Sequence, residues 1–108
     1  MLKFMVVICK RQDMSNQEFK TYLRNTHGPL AKKLPGLRKY VQNFAAKDAK
    51  RKHPAWDAIV ELYFDDWTSM EAAWASPLGA ASDDDLPAFV DLKRTTWSVV
   101  EEITVLNE

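Results

Sequence analysis

The segment from Trp56 to Asp65 limits what this chain can fold into, because polar and apolar residues alternate along it. Successive side chains of a strand point to opposite faces of the sheet. One face is wholly apolar: Trp56, Ala58, Val60, Leu62 and Phe64. The other face is mixed: Asp57, Ile59, Glu61, Tyr63 and Asp65. The wholly apolar face must be covered, so this pattern predicts a sheet with helices packed on one side.

The mixed face of this strand predicts a ligand cavity. A face open to solvent seldom carries Ile59 and Tyr63, and a sealed core seldom carries Asp57 and Glu61, because an unpaired buried charge is costly. A four-stranded sheet cannot enclose a cavity alone, so we expect a second subunit to cover this face. The alternative is an ordinary dimer contact made by half-exposed strand residues.

The other segments alternate between strand and helix patterns. Apolar runs predict further strands over Leu2 to Lys10, Leu37 to Ala45 and Arg94 to Leu106. Capping signals predict helices over Asn16 to Leu34, from a cap at Thr68 through Trp74, and from Ser76 to Asp91 with a break at Pro87. The basic stretch Lys47 to Pro54 reads as a loop, and so does the acidic run Asp83 to Asp85, unless the latter starts a helix.

The resulting order, β-α-β-β-α-β, predicts a single α+β domain over residues 1–108. This is the ferredoxin-like arrangement, in which an antiparallel sheet has its helices on one face.

Within the first helix, Gly28 and Pro29 directly follow His27. In a helix interior Gly costs about 1 kcal/mol and Pro about 3 kcal/mol relative to Ala, so the pair predicts a break that re-aims the His27 ring. Histidine titrates near neutral pH and suits general acid–base chemistry. The alternative is a histidine that only stabilises the C-terminal end of a helix.

Composition narrows the choice of partner. The chain has 15 basic and 15 acidic residues and a net charge of zero, which argues against nucleic acid or an anionic membrane as a partner. Its 46% hydrophobic content, with four Trp and five Phe, favours a ligand cavity, a subunit interface or both. The single cysteine, Cys9, fits a cytoplasmic location. The apolar run Phe4 to Cys9 is too short for a signal sequence or a membrane span.

The sequence resembles the EthD-type family of the dimeric α+β barrel superfamily. The resemblance extends over essentially the whole chain and rests on the order and spacing of several short pieces. These are Met14-Ser15 with Glu18-Phe19, His27-Gly28-Pro29-Leu30, Leu34-Pro35-Gly36-Leu37, Tyr40-Val41-Gln42-Asn43, the strand Trp56 to Asp65, and Ser76-Pro77 with Phe89-Val90-Asp91.

The resemblance implies two ferredoxin-like subunits whose sheets meet face to face in a barrel. It also implies that His27 occupies the family's histidine position and that Asp57 and Glu61 occupy its strand acid positions. The superfamily includes cofactor-free isomerases, cyclases, dehydratases and lyases, cofactor-free monooxygenases and haem-binding branches. This chain departs from the common pattern at Ala58, where Gly is frequent, and in its long basic stretch Lys47 to His53.

Residue chemistry and resemblance together define a candidate site. We expect His27, Asp57 and Glu61 to be catalytic, and Tyr40, Gln42, Ile59 and Tyr63 to bind the ligand. No ligand pair has a metal-binding spacing such as His-x-x-x-His, and no dinucleotide-binding glycine motif is present, so we expect neither a metal nor a cofactor. Cys9 lies in an apolar strand, where a thiol normally only packs.

The function expected from these observations is that of a cofactor-free acid–base enzyme of the isomerase, cyclase, dehydratase or lyase type. Its substrate would be a small hydrophobic, oxygenated ring compound such as a lactone, phenol or polyketide, and it would act as a cytoplasmic homodimer. Two alternatives remain. One is a non-catalytic binding or accessory protein of a degradation pathway, and the other is a cofactor-free or haem-linked monooxygenase.

Overall fold

The computed structural model describes residues 1–50 and 54–108. In this part of the chain four strands form one antiparallel sheet in the order β2-β3-β1-β4, which confirms the ferredoxin-like arrangement. The strands are β1 (Leu2–Ile8), β2 (Lys39–Phe44), β3 (Ala58–Phe64) and β4 (Thr96–Glu101). The helices are α1 (Asn16–Tyr22), a π-helical turn (Leu23–His27), α2 (Gly28–Ala31), α3 (Trp67–Ala75), α4 (Pro77–Asp85) and a 3-10 turn (Leu86–Ala88).

Helix capping follows the sequence signals at two starts and departs from them at a third. Ser15 and Glu18 form the predicted capping box of α1, and the Ser76 hydroxyl accepts from the Gly79 N–H at the start of α4. The predicted cap at Thr68 is wrong, because α3 begins at Trp67 and the Asp66 carboxylate accepts the Ser69 N–H at 2.8 Å. An anionic acceptor suits the positive end of a helix.

β4 is shorter than predicted, because its pairing with β1 stops at the first residue of β1. β1 has seven residues, and its first residue, Leu2, pairs with Phe64 on one side and Glu101 on the other. β4 ends at Glu101, and no strand in the described ranges pairs with the segment after it. Ile103 in the following segment is 80% exposed.

The two faces of β3 differ as the alternation predicted. Ala58, Val60, Leu62 and Phe64 are buried and pack against the helices in a core that includes Phe19, Leu23, Met70 and Phe89. Ile59, Glu61 and Tyr63 point to the opposite face, directly beside their β1 partners Val7, Met5 and Lys3. Among the described residues, no helix is long and apolar enough to cross a membrane.

Candidate functional site

His27 lies in a π-helical turn rather than at a break. The chain keeps right-handed helical geometry through Gly28, whose N–H donates to the Leu23 carbonyl, and Pro29 falls in the first turn of α2. The predicted break is therefore wrong. Proline lacks an N–H to donate, and a wider turn lets the helix continue past it.

Gly28 has a packing role. A Cβ at this position would lie 2.9 Å from the Leu23 carbonyl oxygen and 3.0 Å from Gln42 Nε2. The glycine therefore allows the π-helical turn to lie directly against β2.

His27 is only 7% exposed and forms a polar network with two other side chains. Its Nδ1 lies 2.9 Å from Asp85 Oδ2, and the Tyr22 hydroxyl donates to Asp85 Oδ1 at 2.7 Å. A carboxylate only accepts hydrogen bonds, so Nδ1 carries the proton of the neutral ring. The hydrogen bond to Asp85 raises the pKa of Tyr22, with burial contributing in the same direction.

The other ring nitrogen of His27 is available. Nε2 forms no hydrogen bond with any residue in the described ranges. The ring packs against Phe89, with centroids 4.9 Å apart. A neutral imidazole with Nδ1–H held by a carboxylate presents a lone pair at Nε2, which is the arrangement of a general base.

Asp85 was not among the expected site residues, and the expectation of a solvated loop or helix start at Asp83 to Asp85 is wrong for Asp85. It ends α4, and its side chain is 21% exposed. Sequence reasoning missed it because it follows two similar acidic residues. Ser82, three residues earlier on the same helix, is buried, but the sequence does not show this.

Tyr40 and Gln42 reach the same layer from the sheet. Both project from the helix side of β2, where Gln42 pairs with Val60 and Tyr40 with Leu62. Gln42 Nε2 donates to the Leu23 carbonyl and to the Tyr40 hydroxyl oxygen, each at 3.0 Å. Burial raises the pKa of Tyr40. These two predicted ligand-binding residues therefore lie against the turn that contains His27.

Glu61 and Tyr63 lie on the other side of the sheet. Lys3 Nζ is 3.3 Å from Glu61 Oε1 and 3.1 Å from Glu102 Oε2. The Tyr63 hydroxyl donates to Glu102 Oε2 at 3.1 Å. Together with Ile59, these residues belong to the outer face of the sheet.

Asp57 lines a cleft at the ends of β2 and β3. It precedes β3, and its Oδ2 accepts the Lys10 N–H at 2.8 Å while its own N–H donates to the Ile8 carbonyl. These bonds fasten the end of β1 to the entry of β3. The expected grouping of His27 with Asp57 and Glu61 in one cavity is therefore wrong: alternation identifies the face of a strand, but it does not show which helix residues lie opposite.

A cleft of about 210 Å³ opens between α1 and the ends of β2 and β3. Phe19 and Phe44 line it, with Lys20 and Lys47 also among its residues. The Phe19 ring lies 6.0 Å from Phe89, the residue that packs on His27. Packed aromatic rings therefore lie between the cleft and the histidine, which is itself not among the residues that line the cleft.

Cys9 is buried. No group of His, Cys, Asp and Glu within the described ranges is arranged to hold a metal ion. Part of the basic stretch Lys47 to His53, including His53 itself, lies outside the described residues.

Comparison with known proteins identifies the relatives of this domain. The EthD domain pattern matches residues 11–93. An ethyl tert-butyl ether D (EthD) family protein from Bacillus halodurans is 27% identical, with a TM-score of 0.79 over 95% of this chain and 100% of that one. No curated protein matches the sequence.

More distant structures share the fold alone. A dimeric ferredoxin-like protein of unknown function from Bacteroides fragilis is 15% identical, with a TM-score of 0.67 over 94% of this chain and 95% of that one. SnoaB, a cofactor-independent oxygenase from Streptomyces nogalater, is 12% identical, with a TM-score of 0.67 over 99% of this chain and 97% of that one.

Proposed function

We propose that this chain, which belongs to the EthD domain family, is a cofactor-independent acid–base enzyme that moves a proton on a small hydrophobic, oxygenated ring compound. The observation that supports this most is the buried His27 ring, with Nδ1 held by Asp85 and Nε2 without a partner in the described part of the chain. The carboxylate on Nδ1 fixes the tautomer that leaves a lone pair on Nε2, which a histidine acting as a base requires.

The proposed step is a proton transfer between carbon and nitrogen. His27 Nε2 takes a proton from a carbon beside a carbonyl, and the C–H electron pair forms a C=C bond while the carbonyl oxygen becomes an enolate. Returning the proton to another atom gives an isomer, and expelling a hydroxyl group as water gives a dehydration product. Asp85 stabilises the imidazolium form, and Tyr22 fixes the carboxylate by its hydrogen bond.

The surroundings of His27 favour an apolar ring compound. Phe89 packs on the imidazole, and Phe19 and Phe44 line the neighbouring cleft. Lactones, phenols and polyketides combine such an apolar body with an oxygen that accepts hydrogen bonds. Tyr40 and Gln42 are the sheet residues that we assign to ligand binding.

We also propose that two copies associate through the outer face of the sheet. Ion-paired Lys3 and Glu61 share this face with Met5, Val7 and Ile59, a mixture suited to a partly polar interface. Sedimentation at micromolar concentration should give twice the 12.4 kDa chain mass, and a 12.4 kDa species alone would contradict the dimer. A cytoplasmic location, consistent with the single cysteine, is part of the same proposal.

The experiment begins with the ligand. Small molecules that co-purify with the protein are extracted, identified by mass spectrometry and returned to the protein in D₂O. We expect wild-type protein to introduce deuterium at carbon and His27→Gln to do so about 10²- to 10⁴-fold more slowly. A bound compound that wild-type protein leaves unlabelled and unchanged would indicate a binding or accessory protein. Products that contain an oxygen atom from O₂ would indicate a monooxygenase.

A further inference from the structure

We infer that the Tyr40 hydroxyl is the group that recognises the ligand's oxygen, and that Gln42 aims it. This inference rests on the proposed function and names the substrate class more narrowly, as compounds whose carbonyl oxygen becomes a negatively charged enolate or phenolate oxygen when the neighbouring carbon loses its proton. Its basis is which tyrosine hydroxyl protons are already donated to an acceptor in the protein.

The chain has three tyrosines, and two of their hydroxyl protons are already used. Tyr22 donates to Asp85 at 2.7 Å, and Tyr63 donates to Glu102 at 3.1 Å. A carboxylate accepts only, so the phenol must be the donor in both bonds. Neither hydroxyl can donate its proton to a ligand without losing an existing bond.

Tyr40 differs from these two tyrosines, because its hydroxyl oxygen accepts a hydrogen bond. The amide nitrogen of Gln42 faces the Leu23 carbonyl, which only accepts, so the side-chain orientation is fixed with nitrogen on that side. The second hydrogen of the same nitrogen is donated to the Tyr40 oxygen. An amide nitrogen does not accept hydrogen bonds, so the Tyr40 proton must point elsewhere. In the described part of the chain it has no acceptor.

Gln42 also connects Tyr40 to the histidine. The Leu23 carbonyl that it binds accepts the Gly28 N–H, which follows His27 directly in the chain. One side-chain amide therefore fixes the hydroxyl and contacts the turn that contains the base. Burial raises the pKa of Tyr40, which keeps its hydroxyl protonated and able to donate near neutral pH.

A hydrogen-bond donor that is already in position favours an oxygen that gains negative charge during the reaction. A hydrogen bond to a charged oxygen is roughly twice as strong as a neutral one, so Tyr40 would stabilise an enolate or phenolate more than the neutral compound. In this proposal His27 takes the proton, and Tyr40 stabilises the resulting negative charge.

The test uses two probes that differ by one oxygen. Para-nitrophenolate and nitrobenzene are titrated separately into ¹⁵N-labelled protein, above the pKa of the phenol, and amide shifts give the dissociation constants. We expect wild-type protein to prefer the phenolate. Tyr40→Phe should weaken phenolate binding by roughly 10- to 100-fold, as expected for one hydrogen bond to a charged group, and change nitrobenzene binding less than about twofold.

Three further variants complete the set. Gln42→Glu replaces the donor nitrogen by an acceptor that captures the Tyr40 proton, so it should weaken phenolate binding as Tyr40→Phe does. Gln42→Leu removes both hydrogen bonds donated by the Gln42 amide without adding a charge. It replaces Gln42→Glu in the test if that variant does not fold. Tyr63→Phe removes a tyrosine hydroxyl from the opposite face and should leave both dissociation constants unchanged.

Several outcomes would overturn the inference. These are equal losses for both probes in Tyr40→Phe, no preference for the phenolate in wild-type protein, no binding of either probe, or a selective phenolate loss in Tyr63→Phe. Binding is measured at equilibrium without turnover. Failure here therefore leaves the deuterium result with His27→Gln intact, and failure of that result leaves the oxygen recognition intact.

Discussion

Replacing Asp85 by alanine should change both the stability of the protein and the protonation pattern of His27. The carboxylate accepts two hydrogen bonds, at 2.9 Å from His27 Nδ1 and 2.7 Å from the Tyr22 hydroxyl. Each bond to a charged group contributes about 1.5–3 kcal/mol. The Asp85 side chain is 21% exposed, so water can replace part of what is lost. We expect the free energy of unfolding to fall by about 2–4 kcal/mol.

The tautomer of His27 provides a more specific readout than stability. With Asp85 present, the neutral ring carries its proton on Nδ1, and without it that proton loses its acceptor. Long-range ¹H–¹⁵N correlation spectra distinguish the two neutral tautomers, and His53→Gln in the background removes the second histidine signal. We expect Asp85→Ala to move the population from Nδ1–H to Nε2–H.

Asp83→Ala is the matched control for this experiment. Asp83 lies in the same helix but is exposed, so its removal should change the unfolding free energy by less than about 0.5 kcal/mol and leave the tautomer unchanged. The reasoning would be refuted if the His27 ring in wild-type protein carried its proton on Nε2. It would also be refuted if Asp85→Ala behaved like Asp83→Ala in both measurements.

Two further predictions concern the packing around His27. Phe89→Ala removes a fully buried ring that contacts Phe19, Tyr22 and His27. Urea denaturation should show that the free energy of unfolding falls by about 3–5 kcal/mol. A fall of less than about 1 kcal/mol would contradict the packing described. Gly28→Ala should lower stability by about 1–3 kcal/mol in thermal unfolding, because its Cβ would lie 2.9 Å from the Leu23 oxygen. Helix propensity alone predicts the opposite sign, a gain of about 1 kcal/mol, so a stabilised variant would contradict the close approach.

Most of the fold could be predicted from local patterns. Alternation in β3 identified its buried face, the capping box at Ser15 located α1, and the order of elements gave the sheet. The length of β4 could not be predicted, because it depends on how far the strand pairs with β1. Ile103 and Val105 read as strand but pair with no strand in the described part of the chain.

The site was harder to predict because its members come from distant parts of the chain. His27 stood out through the Gly-Pro pair after it, and Tyr40 and Gln42 lie on the helix side of β2, where Gln42 contacts the Leu23 carbonyl. Its carboxylate partner is Asp85 instead of Asp57 or Glu61, and 58 residues separate it from His27. Sequence periodicity describes one element at a time and contains no information on which helix end reaches a given side chain.

The proposed role of His27 as a base can be tested most directly with nitrobenzisoxazole. Loss of the proton on its carbon breaks the ring N–O bond and gives a nitrile and a coloured nitrophenolate, so the rate reports proton removal by a protein base. We expect wild-type protein to accelerate this reaction, His27→Gln to lower the rate about 10²-fold or more, and Glu61→Gln, on the outer face, to match wild type. A His27→Gln variant that retained the wild-type rate, or a Glu61→Gln variant that lost it, would contradict the assignment of His27 as the base.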